Sequence, residues 1–218
     1  MNIERRCFAV QELRAEKVED KMIVRGHAAV FNSWSENLGG FREIILPGAF
    51  SDSLSRGDEV LATFHHKRHM VLGTTFNKSL SLSEDDTGLA VRMVLPDTQD
   101  GRDTFVLVND KYVRGWSFAF PTPAAGDQEW RRGQAGAPDE RTLKRIKLMD
   151  VSLTPDPAYL AASDAEVVKR SHEDFVADFC TKCGTELTSI GMPERRYCEH
   201  CERHGYPLSL AKARLALA

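Results

Sequence analysis

Four cysteines near the C-terminus stand as Cys180-x2-Cys183 and, fourteen residues on, Cys198-x2-Cys201. Each CxxC puts two thiolates on one tight turn, and two such turns close a tetrahedral S4 zinc shell. A zinc ion would replace a core that so short a segment cannot build. Redox or plain structural thiols are the alternative. The fifth cysteine, Cys7, reads as an ordinary thiol. Zinc here is structural, so reactive groups must lie in the remaining chain.

Three segments there carry candidates. In Val113–Phe120, strand alternation sets Gly115, Ser117 and Ala119 on one face and Trp116, Phe118 and Phe120 on the other. The aromatic face is core. The small face leaves a shallow track with one hydroxyl, where a substrate backbone could lie against a serine nucleophile; a face packed under a helix fits equally. Thr63–Gly73 holds His65, His66 and His69. A neutral imidazole is the usual base for a hydroxyl. If the chain is extended there, His65 and His66 point apart, so one of them reaches Ser117. An exposed polar turn is the bland reading. A metal site is a third, since His65 and His69 have i,i+4 spacing, although HExxH is absent. In Ile146–Ser152, Asp150 shares a face with Ile146 and Leu148. A carboxylate there needs a partner. A histidine N–H would serve, fixing the tautomer of a base; so would the turn into Thr154-Pro155, or Arg145.

Several elements must position these groups. Met22–Phe31 is expected as a strand, and Pro47–Leu54 as a short helix ended near Gly57. Short strands follow at Glu59–Phe64, Val71–Phe76, Ser79–Leu82 and Leu89–Leu95. Asp97-Thr98 can cap a helix running to Asn109. Tyr112–Phe120 and Leu143–Leu153 are further strands, and the Gly-, Pro- and charge-rich Pro121–Arg141 reads as a mobile loop between them. A helix is expected from Ala158. The fold class is α+β, mostly antiparallel, in a closed barrel. Three regions result: a main domain over 1–163, a charged linker over 164–176, and a cysteine module over 177–218 with a helix at Leu208–Leu217.

Bulk properties exclude several classes. The chain has 218 residues, 42% hydrophobic and 28% charged, with net charge −3. That gives no electrostatic case for nucleic acid or an anionic membrane. In the cysteine module, Lys182, Arg195, Arg196 and Arg203 balance Glu186, Glu194, Glu199 and Glu202, which also weakens DNA contact. No apolar run is long enough for a bilayer, and Met1–Leu13 lacks the apolar core of a signal peptide. The expected setting is a reducing cytosol.

Six segments, taken in order, resemble one family. They are Gly26–Phe31, Phe41–Phe50, the histidine segment before Val71-Leu-Gly73, Glu84–Leu89, Gly115–Phe120 and Met149–Tyr159. Together they resemble the prohead proteases of tailed phages, serine peptidases related to the herpesvirus assemblins. The resemblance covers about residues 20–162. It implies Ser117 as nucleophile and His66 as base. His65 stands where the family usually has Asn, and Lys67 where it has Asp. Asp150 stands where Glu is common and would be the third member; related viral proteases use a second histidine, which makes His65 a rival as base or third member. The implied fold is an assemblin-like β-barrel wrapped by helices, followed here by a small zinc-ribbon-like module. The implied substrates are scaffold and the N-terminal part of the major capsid protein, cut inside the immature capsid in the bacterial host cytoplasm. Self-cleavage and self-association inside the prohead go with that role, and no catalytic cofactor. A non-catalytic capsid-assembly or scaffold-binding protein that keeps the fold is the alternative. A zinc hydrolase using the histidine cluster is a more distant one.

Overall fold

The computed structural model describes residues 3–9, 13–121, 123–134 and 136–155, and beyond them residues 172, 175, 176, 179, 186–189, 196 and 197. The chain divides into two compact units, Met1–Lys169 and Arg170–Ala218.

The first unit is built mainly of strands. In chain order they are β1 (Ile3–Ala9), β2 (Arg14–Val18), β3 (Lys21–Val30) and β4 (Phe41–Ile45), followed by helix α1 (Ser51–Ser55). Next come β5 (Leu61–Phe64), β6 (Lys67–Thr74), β7 (Leu80–Glu84), β8 (Gly88–Val94) and helix α2 (Gln99–Asn109). Strands β9 (Gly115–Pro121), β10 (Gln128–Arg131), β11 (Asp139–Leu143) and β12 (Asp150–Thr154) complete it. Thr98 caps α2, its side chain accepting from the Gly101 amide at 3.2 Å.

Three sheets form among the described residues of this unit, ordered β1-β9-β12-β5-β6, β2-β3-β8-β7 and β10-β11-β4. Most pairs are antiparallel; β12 with β5 and β11 with β4 are parallel. The ladders run as separate sheets and do not close into the expected single barrel. Instead β3 packs against β1 and β9, and β6 against β8, so the two larger sheets enclose one core. Trp116, Phe118 and Phe120 are fully buried in it, with Phe50 edge-on to Phe118 at 5.4 Å. The opposite face of β9, which carries Ser117, points away from this core.

Two further expectations need correction. Pro121–Arg141 is not simply a loop: it contains β10 and the start of β11, which adds to β4. Nor is Leu143–Leu153 one strand. The amides of Lys144 and Arg145 bond to the Asp127 carbonyl and that of Ile146 to Ala49, which takes the backbone out of a ladder before β12 begins.

Three of the strands not anticipated, β1, β4 and β11, share a cause. Glu4 and Arg6 on β1, Glu43 on β4 and Arg141 on β11 are all buried. Arg141 grips Glu4 through two bonds of 2.6 and 3.0 Å. Arg6 bonds Glu4 at 2.6 Å and also pairs with Glu43. Two positive and two negative groups cancel, which makes the burial tolerable. Burial by itself would raise the Glu4 carboxyl, but the hydrogen bond from Arg141 and the charges of Arg6 and Arg141 outweigh it and hold it at about 2.

In the second unit, β13 (Thr188–Ser189) pairs antiparallel with β14 (Arg196–Tyr197), and Phe179 bridges Glu186.

Candidate active site

Ser117 projects from the middle of β9. Its neighbours in register are Cys7 on β1 and Ser152 on β12, so all three side chains share a face. Ser117 is buried. On the far side of β12 lies β5, and the β5–β6 hairpin carries His65 and His66 at its turn.

That turn has an unusual backbone. His65 and His66 have φ of 55° and 56°. Two consecutive positive φ values in a two-residue hairpin mark a type I′ turn, which normally takes Asn-Gly or Asp-Gly. For other L-residues the left-handed region costs about 1–2 kcal/mol each. The surroundings hold this pair in place. The His65 amide donates to the Leu153 carbonyl at 3.0 Å. The His66 amide donates to Ser152 Oγ at 2.8 Å, and Ser152 Oγ in turn donates to the Thr63 carbonyl at 3.1 Å.

The turn delivers the His66 ring between two partners. Its Nε2 lies 2.6 Å from Ser117 Oγ and its Nδ1 lies 2.6 Å from Asp150 Oδ1. The His66 side chain is 4% exposed and that of Asp150 19%. The network assigns the tautomer: Nδ1–H donates to the carboxylate, which leaves the Nε2 lone pair to accept from the serine hydroxyl. Arg145 is not the partner of Asp150; it pairs with Asp127 at 2.6 Å.

The other sequence candidates lie apart. The His65 ring packs edge-on near Phe64, at 6.4 Å between centroids, and makes no side-chain hydrogen bond among the described residues. His69 lies exposed on β6, and no cluster of metal-ligating side chains occurs among the described residues. Cys180, Cys183, Cys198 and Cys201 lie outside the described residues. Ser152 was missed as a site residue. Its place two residues after Asp150, on the same face, was visible in the sequence, but its bond to the turn amide depends on the parallel pairing of β12 with β5.

A nucleophile–base–orienter relay of this form suits acyl transfer. A protein-family model described as caudovirus prohead serine protease matches residues 10–177. Among solved structures, the bacteriophage T4 capsid assembly protease gp21 is similar with a TM-score of 0.47 and 7% sequence identity. That alignment covers 70% of this chain and 96% of the other. No curated protein matches the chain.

Proposed function

Since the chain belongs to the caudovirus prohead serine protease family, we propose that it is a serine endopeptidase whose nucleophile is Ser117, whose base is His66 and whose orienting carboxylate is Asp150. The observation that supports this most is the unbroken relay of two 2.6 Å contacts from Asp150 through His66 to Ser117.

In the first half-reaction Ser117 Oγ bonds to the scissile carbonyl carbon while its proton passes to His66 Nε2. The tetrahedral intermediate collapses, the C–N bond breaks, and Nε2 returns the proton to the departing amine. Water then attacks the acyl-enzyme with His66 again as base, releasing a carboxylate and restoring Ser117. Asp150 keeps Nδ1 protonated and stabilises the imidazolium that forms in each half. Ser117 has no exposed surface. A substrate carbonyl therefore gains access only when whatever covers it moves aside.

In this reading, which family membership supports, the enzyme acts inside the immature capsid on scaffold and major capsid protein, with self-cleavage beyond the catalytic unit and association between copies. Among the described residues no helix is long and apolar enough to cross a membrane. The four cysteines are assigned to a structural zinc module that serves docking or stability and takes no part in the chemistry. Co-expression with a matching capsid protein and scaffold tests the proposal. Fragments should accumulate with the wild type and be absent with Ser117→Ala. Equal fragmentation in both would remove Ser117 from the mechanism.

A further inference from the structure

The outer face of the four-stranded sheet carries a row of arginines. Arg14 on β2 stands opposite Arg25 on β3, and Arg25 opposite Arg92 on β8; Ser81 on β7 completes the row. Directly opposed residues share a face, so three guanidinium groups rise side by side. They line a groove of about 500 Å³, together with His27, Ser81 and Ser83. Arg25 is paired with Glu16 at 2.7 Å, and His27 with Asp85 at 2.8 Å. Arg14 and Arg92 make no side-chain hydrogen bond or ion pair among the described residues. Like charges set directly opposite one another weaken a sheet. Glu16 offsets part of this repulsion at Arg25, and an anion bridging Arg14 and Arg92 would relieve the rest.

The geometry points to a binding site for an acidic segment of polypeptide, held by two or three carboxylates. Neighbouring strands place the guanidinium stems roughly 5 Å apart, so the row is about 10 Å long. An extended peptide places same-side residues about 6.6–7 Å apart, so two or three alternating Asp or Glu side chains span it. Guanidinium forks match carboxylates in bidentate geometry, and the flanking serine hydroxyls add donors. A nucleic acid fits less well. Its affinity comes from many phosphate contacts along a basic track. Here the track is one row, bounded by the carboxylates of Glu16 and Asp85, on a chain of net charge −3. The groove lies across the core from the face of β9 that bears Ser117. The stretch held there therefore does not contain the scissile bond. It anchors a substrate or assembly partner to the enzyme, which goes beyond the proteolytic role.

The test uses full-length protein carrying Ser117→Ala, so that no probe is cleaved. Fluorescence anisotropy follows a labelled peptide of alternating Asp and Ala residues, its Asn counterpart, and an oligothymidylate of equal charge. The Asp peptide is expected to bind, to weaken steeply with salt, and to bind at least tenfold tighter than the Asn peptide. Arg14→Gln with Arg92→Gln should weaken it tenfold or more without lowering Tm, because a repulsion is removed. Glu16→Gln, which frees Arg25, should tighten it several-fold. Unchanged affinity in the double variant, no binding of the Asp peptide at low salt, or tighter binding of the oligothymidylate would each overturn the inference. None of these results bears on Ser117, so the proteolytic reading and this one fail independently.

Discussion

Replacing Ser152 by alanine separates the backbone support of His66 from the chemistry of the triad. Ser152 touches neither Ser117 nor Asp150 through its hydroxyl; it accepts from the His66 amide at 2.8 Å. Alanine leaves that N–H without a partner beside a buried strand, at a cost of about 1–3 kcal/mol. The turn is the weakest neighbour. His65 and His66 already hold left-handed conformations, each costing about 1–2 kcal/mol. The turn should therefore relax and take the imidazole with it. If the lost energy appears as loss of the aligned ring, kcat falls roughly ten- to a hundredfold, since about 1.4 kcal/mol is a factor of ten. KM should hardly change, because no substrate contact is removed. The control is Thr63→Val. It removes only the longer contact between Thr63 Oγ1 and Ser152 Oγ, at 3.3 Å, and keeps the bond to His66, so its kcat should stay within about threefold of wild type by the same conversion. The assay is steady-state cleavage of a purified capsid or scaffold substrate, with Tm measured in parallel. A kcat for Ser152→Ala within twofold of wild type, or an equal loss in both variants, would show that the Ser152 hydroxyl does not hold the His66 ring in place.

Three further outcomes are expected. His65→Asn should raise stability by up to about 1 kcal/mol in denaturant titration with activity retained, because Asn tolerates the left-handed region; loss of activity would give His65 a direct role. Glu4 is depressed from its ordinary 4.5 to about 2. A depressed acid adds stability above its unfolded pKa and loses it as pH falls towards the folded one. About 3 kcal/mol should therefore disappear between pH 4.5 and about 2, a loss read by denaturant titration at each pH, and the Glu4→Gln variant should show a flatter profile across that window. Elemental analysis of gently purified protein should give about one zinc per chain, and substituting the four cysteines should abolish it; no metal in the wild type would end that assignment.

How far the sequence could be read depended on what each strand buries. Met22–Phe31, the capped helix after Thr98 and the aromatic stripe of Trp116, Phe118 and Phe120 follow hydrophobic periodicity, and the structure has them nearly where the pattern places them. In β1, β4 and β11 the inward residues include Glu4, Arg6, Glu43 and Arg141. A search for apolar alternation passes over strands whose buried face is charged. Those charges become compatible with burial only when three distant segments meet, and spacing along the chain cannot reveal that. The site shows the same division. Ser117 and Asp150 could be picked out by residue type and strand face, whereas the residues alone left His65 and His66 open and only the family resemblance favoured His66. In the structure His66 rather than His65 meets Ser117 because the turn has two positive φ values, and a pair of histidines is not the residue pair that announces such a turn.

The proposed mechanism stands on the activation of Ser117 by His66. Treating the purified protein with a fluorophosphonate and mapping the adduct by mass spectrometry tests it most directly. One adduct is expected, on Ser117, absent in Ser117→Ala and slowed about a thousandfold or more in His66→Ala. An adduct on another residue, or labelling of Ser117 at the same rate without His66, would contradict it.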